Sequence, residues 1–244
     1  MSYLETKTNP QTEDRIDLYA RWHNRAKPYF VWQLEQFTPY LGNRVIDVGC
    51  GLGNFAEILL DRELYIGIDS DQDIIEKMKG QYADTENIEF FQADITQWDR
   101  IQALVYEKAD SILCVNVLEH IEDDRVVLKN MAATLPCGGH ICLLVPAFQC
   151  LYGTLDSLDG HFRRYTKAMV VDRIKDLPVE IVHLYYFNMV GSLGWFLKGR
   201  ILREKTQSNA NYAVMNMLIP FFSKIERAIK PFFGMSLIAI LRKS

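Results

Sequence analysis

The run Val45-Ile46-Asp47-Val48-Gly49-Cys50-Gly51-Leu52-Gly53-Asn54 sets three glycines between an apolar, β-branched stretch and the start of a helical pattern. Glycines at such a junction let the backbone approach a ligand closely, and the helix that follows aims its free N–H groups at it. A dinucleotide fingerprint beginning Gly49-x-Gly51 requires its third glycine at position 54; that position is Asn54, and the third glycine comes one residue early, at Gly53. Asp47 sits just before the loop, where a carboxylate opposes a pyrophosphate and suits a cationic amino group. The ligand is therefore expected to carry positive charge near the loop. Asp69 closes the run Tyr65-Ile66-Gly67-Ile68-Asp69, 16 residues after Gly53, where an acidic side chain bridges ribose hydroxyls. Asp94 follows Phe90-Phe91-Gln92-Ala93, placed to accept a hydrogen bond from an adenine amino group with Ile95 against the ring.

Candidate proton acceptors lie further on. His120 ends Asn116-Val117-Leu118-Glu119-His120 and is either a base or a residue that pins its loop. His161 lies in the long run from Tyr152 to Tyr165 and is a candidate general base or substrate ligand. Such a length of irregular chain inside a compact domain is usually functional. Tyr152, Arg163, Arg164 and Tyr165 are candidate substrate contacts, the arginines for a carboxylate or phosphate. The arginines have a second reading, pairing with Asp156 and Asp159 to rigidify the loop. Thr166 is placed to cap the next helix.

These residues need elements to hold them. From Arg44 to Val145 short β-branched runs alternate with helical patterns. Strands are expected at Arg44–Val48, Leu64–Ile68, Ile88–Gln92, Ser111–Val115 and Ile141–Val145. Helices are expected at Asn54–Leu60, from an Asp71 cap to about Tyr82, at Thr96–Glu107 and at Glu122–Leu135, the last stopped by Pro136-Cys137-Gly138-Gly139. Apolar strands separated by helices make βαβ units, a parallel sheet covered on both faces and a doubly wound α/β sandwich. Before this core, Ile16–Phe37 reads as helical and split at Pro28. After it come an irregular Ala147–Tyr165, a helix at Thr166–Asp176, a strand at Val179–Tyr185, an intervening segment of about 45 residues, too long for an ordinary connection, and a strand at Ser236–Leu241.

Composition bounds the rest. The chain of 244 residues is 49% hydrophobic and 24% charged, which excludes extensive disorder. Its five cysteines form no C-x-x-C pair, so neither a disulfide scaffold nor a metal site is expected; Cys114 and Cys142 read as buried thiols of a cytoplasmic protein. The net charge of −4 disfavours a nucleic-acid partner. That total divides unevenly: residues 180–244 carry +6 and residues 1–179 carry −10. No apolar stretch is long enough to cross a bilayer.

In order and spacing, VIDVGCGLG, GIDSD, QADI, VNVLEHIED and LPCGG resemble the motifs of class I S-adenosylmethionine-dependent methyltransferases. The resemblance is strong over Arg44–Val145. The segment Gly160-His161-Phe162-Arg163-Arg164-Tyr165 is similar to a G-H-[FY]-R-R-Y segment of a bacterial subset broadly classed as types 11 and 12. The resemblance implies a seven-stranded sheet with its last strand antiparallel, and S-adenosylmethionine as cofactor. It assigns cofactor contacts to Asp47, Gly49, Cys50, Gly51, Gly53, Asp69, Ser70, Asp94, Ile95, Asn116 and Val117. It also implies an N-terminal lid over residues 1–40 and a core over 41–187 closed by 235–244; the chain departs from the family's short hairpin between the last two strands with a helical insertion over 188–234. That insertion is aromatic, apolar and basic, a composition shared by substrate caps, dimer interfaces and helices lying on a membrane surface. The expected activity is methyl transfer to a small-molecule, lipid-linked or glycan-linked acceptor, with O-methylation favoured by the two histidines. A nicotinamide oxidoreductase and a non-catalytic cofactor-binding regulator are the alternatives.

Overall fold

Seven segments rich in β-branched and apolar residues form one sheet in the computed structural model, which describes residues 25–97, 105, 109–197, 201, 209–229 and 231–244. The strands are β1 (Arg44–Val48), β2 (Leu64–Asp69), β3 (Ile88–Gln92), β4 (Ser111–Val115), β5 (His140–Pro146), β6 (Val179–Phe187) and β7 (Ser236–Lys243). Their order is β3-β2-β1-β4-β5-β7-β6, with β7 antiparallel to both of its neighbours. The strand ends fall within two residues of those expected from sequence. The described helices are α1 (Lys27–Glu35), α2 (Gln72–Gln81), α3 (Asp124–Thr134), α4 (Thr154–Leu158), α5 (Lys167–Ile174), α6 (Met189–Trp195) and α7 (Asn209–Ile229).

Alternation along each strand divides the core in two. Ile46, Val48, Ile66, Ile68, Ile112, Cys114 and Leu143 pack with Val127, Leu128 and Met131 of α3 and Val170 and Ile174 of α5. Val45, Tyr65, Leu113, Cys142, Leu144 and Ile240 pack with α1 and α2 on the other face. Two of the expected caps hold their helices. Asp71 accepts from the backbone N–H groups of Asp73 and Ile74, and Thr166 from that of Met169.

Several expectations meet a different outcome. Asn54–Leu60 contains only a 3-10 turn, Ala56–Leu59. Ala147–Tyr165 holds a 3-10 turn (Gln149–Leu151) and α4. The break expected at Pro28 is present: Arg25 is helical, Ala26 is not, and α1 begins at Lys27 with Pro28 in its first turn, where a missing N–H costs no intrahelical bond. Residues 25–40 are the described part of the N-terminal region; in it Ala26 and, on α1, Tyr29, Phe30, Trp32 and Leu34 are buried in the second core cluster. Residues 1–24, with Tyr19, Trp22 and His23, and most of the helix expected at Thr96–Glu107 lie outside the described residues.

Within the insertion, Glu226 of α7 accepts from the backbone N–H groups of Asn188 (2.8 Å) and Met189 (2.5 Å), capping α6. Asn216 of α7 donates to the carbonyl of Arg25 (2.6 Å). The insertion is thereby fastened both to the end of β6 and to the N-terminal side of α1. No described helix is long and apolar enough to cross a membrane.

The burial of α1 predicts how its aromatic anchor behaves. Trp32 is 5% exposed, with its ring centroid 4.4 Å from that of Phe187. Trp32→Ala is expected to cost about 3–5 kcal/mol in urea unfolding. A detached lid would lose ligand affinity instead and leave the unfolding midpoint in place.

Candidate active site

The loop after β1 is shaped by backbone demands. Gly49 and Cys50 both donate to the Ile68 carbonyl, at 2.8 and 3.0 Å, folding the loop back onto β2. Gly49, Gly51 and Gly53 have φ of +70°, +51° and +68°, a region where side chains are strained. Gly49 has a second constraint, because a Cβ there would lie 2.4 Å from a methyl of Val117 in the loop after β4. Gly51 differs: a Cβ there would meet no protein atom within 4 Å, so this part of the loop borders open space. Asp69 ties the two strand ends together. Its Oδ2 accepts from Gly51 N–H (2.9 Å) and its Oδ1 from Asp71 N–H (3.0 Å).

Asp47 lies beneath this loop at 1% exposure, accepting a 2.6 Å bond from the Tyr65 hydroxyl. Burial pushes its carboxyl up to about 7; the Tyr65 bond opposes the shift and nearby Asp69 adds to it. A buried acid held this high is relieved by a cationic neighbour, which is what the sequence implied for the ligand. Burial also raises the Cys50 thiol far above its usual range, so Cys50 packs as an inert side chain. Asp94 is exposed and held low by bonds from the Thr96 hydroxyl (2.7 Å) and N–H (2.9 Å). Ile95 is buried beside it, Ser70 is exposed at the tip of β2, and Asn116 stands exposed after β4 with φ +55°. The predicted cofactor contacts thus gather at the C-terminal ends of β1 to β4, the edge where open α/β sheets bind ligands.

The residues expected to meet the acceptor form a second assembly, built on Asp156 of α4. Its carboxylate is 0% exposed and accepts from four donors. Oδ1 takes His161 Nδ1 (2.9 Å) and Arg164 Nε (2.8 Å); Oδ2 takes Gly153 N–H (2.9 Å) and Trp195 Nε1 (3.4 Å). Burial raises this acid, but the bonds from His161, Arg164 and Gly153 outweigh it and the net shift is downward. An ionised carboxylate only accepts, so His161 donates from Nδ1, and in the neutral ring Nε2 then carries the lone pair. The Tyr152 hydroxyl donates to the His161 carbonyl (2.8 Å), and the His161 ring meets His120 edge-on with centroids 4.7 Å apart. Burial and then the neighbouring His161 lower His120 to about 4, so it is neutral at physiological pH.

The expectation of acceptor contacts from Arg163, Arg164 and Tyr165 is corrected by their placement. Arg164 is 2% exposed, bonded to Asp156 and to the Ala147 carbonyl (3.2 Å), with Trp195 stacked beside its guanidinium. Tyr165 is buried and donates to Asp124 (2.9 Å) and the Leu118 carbonyl (3.1 Å). Arg163 donates to the carbonyls of Ile121 (2.8 Å) and Glu122 (2.7 Å) and pairs with Asp124 (3.0 Å), rather than with Asp159. Together with Phe162 N–H on the Glu119 carbonyl (2.7 Å), these bonds clamp the loop after β5 onto the loop after β4.

One participant was passed over in the sequence. Glu119 is wholly buried, with both carboxylate oxygens lacking a hydrogen-bond partner among the described residues. Burial raises it to about 7, with His161 opposing the shift. Its signal was the apolar flank of Val117, Leu118 and Ile121, which buries position 119 while leaving His120 outside. Trp195 carried no such signal, since only the fold brings α6 to Asp156.

Residues 46–141 match the model of a methyltransferase domain family. A trans-aconitate 2-methyltransferase of Agrobacterium fabrum is 34% identical over 103 residues, covering 41% of this chain and 37% of that protein. A ubiquinone biosynthesis O-methyltransferase of Acinetobacter baumannii is 30% identical over 137 residues, covering 51% of this chain and 56% of that protein. The matches therefore span about a third to a half of the curated relatives. Among solved structures, a SAM-dependent methyltransferase from Archaeoglobus fulgidus aligns with TM-score 0.59 at 22% identity over 89% of this chain and 94% of its own. One from Mesorhizobium loti aligns with TM-score 0.59 at 15% identity over 86% and 95%. These likenesses establish the fold.

The raised carboxyl of Asp47 predicts a pH-dependent stability. Its folded-state value lies above the ordinary 3.8, so the stability it contributes is complete below about 4 and is lost as pH rises through about 7. Asp47→Asn keeps an acceptor for Tyr65 and removes the titration. The variant is expected to melt above wild type at pH 8, with the gap closing towards pH 5; a gap independent of pH would contradict the assignment.

Proposed function

Because residues 46–141 form a class I methyltransferase domain, we propose that the protein transfers the methyl group of S-adenosylmethionine to a hydroxyl of a small-molecule acceptor. The observation that carries this is the shared edge of the sheet. The open Gly51 cradle, Asp47, Asp69 and Asp94 lie on the cofactor side of it, and the loop bearing His161 is clamped to the next strand end. Asp47 suits the cofactor's cationic amino group, Asp69 its ribose and Asp94 its adenine. When bound, S-adenosylmethionine supplies an electrophilic methyl group on a sulfonium centre.

The chain's own task is to align the acceptor, exclude water and take its proton. His161 is the proposed proton acceptor, through Nε2. Asp156 positions it by fixing the tautomer and by stabilising the imidazolium that forms. Arg163, Arg164 and Tyr165 are positioning residues that hold this loop. A buried, oriented imidazole favours an enzyme over a passive cofactor-binding regulator. Asp47 under the loop, with the early third glycine, disfavours a nicotinamide enzyme.

Calorimetry and a transfer assay with labelled cofactor test this reading. Gly51→Ala strains a positive φ, at about 1 kcal/mol, and places a methyl in the cradle. It should stay folded while binding S-adenosylhomocysteine at least tenfold more weakly. His161→Ala should bind S-adenosylhomocysteine normally and lose about 10²–10⁴ in turnover, the usual range for a general base. Wild type that binds no S-adenosylhomocysteine refutes the proposal.

An apolar acceptor drawn from a lipid surface is the finer part of the proposal. It is supported by the exposed Leu193, Phe196, Leu197, Met217 and Phe221 of the insertion. The protein should float with anionic vesicles at low salt; recovery wholly in the pellet fraction removes this acceptor class.

A further inference from the structure

We infer that Glu119, His120 and His161 form a binding site for a single divalent transition-metal cation of the kind taken by nitrogen and oxygen ligands, such as Zn2+. The inference rests on the reading of these loops as the acceptor end of the site and adds a ligand to it. Each of the three residues offers one ligand atom, and these atoms lie within 4.8 Å of one another. Ligands about 2 Å from a tetrahedral cation stand about 3.3 Å apart. Small side-chain rotations close that difference.

The second, independent observation is Glu119 itself. A buried carboxylate with neither oxygen hydrogen-bonded among the described residues is a costly arrangement, since desolvation is not repaid by any donor. A cation beside it repays that cost directly. The histidines are prepared in the manner of metal ligands. His161 donates its Nδ1 proton to Asp156 at 2.9 Å, which turns Nε2 outward as a lone pair, and the backbone of Asp159 hydrogen-bonds the His120 ring. Metal-bound histidines nearly always have the other ring nitrogen engaged in this way.

The frame is also fixed in advance. Phe162 N–H on the Glu119 carbonyl, at 2.7 Å, and the Arg163 bonds to Ile121 and Glu122 hold the two loops together. Three protein ligands leave a fourth position open, the pattern of sites that act on substrate rather than those that only hold a fold. An acceptor oxygen fits that position. A cation on His161 Nε2 and a proton there exclude each other, so in the cation-bound form His161 holds the acceptor through the metal rather than serving as base.

The test is titration of chelator-treated full-length protein with Co2+ and Zn2+, with no cofactor or acceptor present. Wild type should bind one ion per chain, with the visible absorption of histidine-bound Co2+ displaced by Zn2+. Glu119→Gln and His161→Ala should each weaken binding at least tenfold, and His140→Ala, at the opposite end of the strands, should not. Thermal melts of each variant check that it is folded; Glu119→Gln removes a buried acid and should melt no lower than wild type. No stoichiometric binding, or binding unchanged in both folded variants, overturns the inference. Binding of S-adenosylhomocysteine in the presence of chelator is measured separately. If it persists while the cation fails to bind, only this inference falls; if it is absent, the proposed transfer falls and the cation titration still decides the site.

Discussion

An ionised carboxylate with no exposure to water has to be answered by donors, and the donors that answer Asp156 organise the acceptor half of this protein. Removing such a group from water costs several kcal/mol, and the interaction is sustained only where the geometry is good and the remaining lone pairs are filled. Asp156 collects its own helix start at Gly153, the His161 ring, the buried guanidinium of Arg164, and Trp195 from a helix 39 residues further along the chain. Apart from Trp195 at the end of α6, none of these positions is independently fixed by secondary structure: α4 is a helix of only five residues, and His161 and Arg164 lie in loop. The loop after β5 is ordered because one buried charge needs that set of partners. The His161 tautomer is a by-product of the same requirement.

The cofactor half is held differently, by backbone and sheet register. Asp69 spends both oxygens on the N–H groups of Gly51 and Asp71, so the ends of β1 and β2 move as one piece. The two halves meet at the loop after β4. Val117 fills the space that a side chain at Gly49 would take, and the chain then passes through Leu118 and Glu119, whose carbonyls receive Tyr165 and Phe162. A displacement of the glycine loop reaches His120 and His161 through three residues of backbone. In the proposed transfer, the alignment of methyl donor and acceptor therefore depends on the packing of Gly49 against Val117 as well as on polar contacts.

The strands were legible because they are largely apolar runs bounded by glycine, proline and capping residues, signals that depend on near neighbours; their order in the sheet came from the fold. Asp71 and Thr166 were legible as caps for the same reason. The glycine loop and the three carboxylates were legible as strand-end residues, since their spacing is set by the βαβ unit itself. Partner choice was not legible. Arg163 lies four residues from Asp159 and pairs instead with Asp124, which the fold delivers from α3. Arginines in a polar loop read equally well as ligands or as braces, and only burial separates the two. Glu119 was hidden by the chemistry of its neighbour: histidine draws the attention in Leu118-Glu119-His120, although the flanking apolar residues bury the glutamate. Nor does an aromatic helix at the N-terminus announce its packing partner; the fold brings Phe187 of β6 against Trp32 of α1.

Three described side chains of the insertion between β6 and β7 turn polar groups inward: Glu226 caps α6, Asn216 holds the Arg25 carbonyl and Trp195 reaches Asp156. Large apolar side chains turn outward, Met217 at 71% exposure among them. A segment selected only to pack against its own domain would spend apolar groups on the interface and leave polar ones to water. The same stretch belongs to the basic third of an otherwise acidic chain. Whatever chemistry meets that outer surface is joined, through the indole of Trp195, to the carboxylate that sets the acceptor loop. The inward polar contacts join the insertion to the loop after β5, and its exposed apolar side chains give that end of the protein a face towards its surroundings.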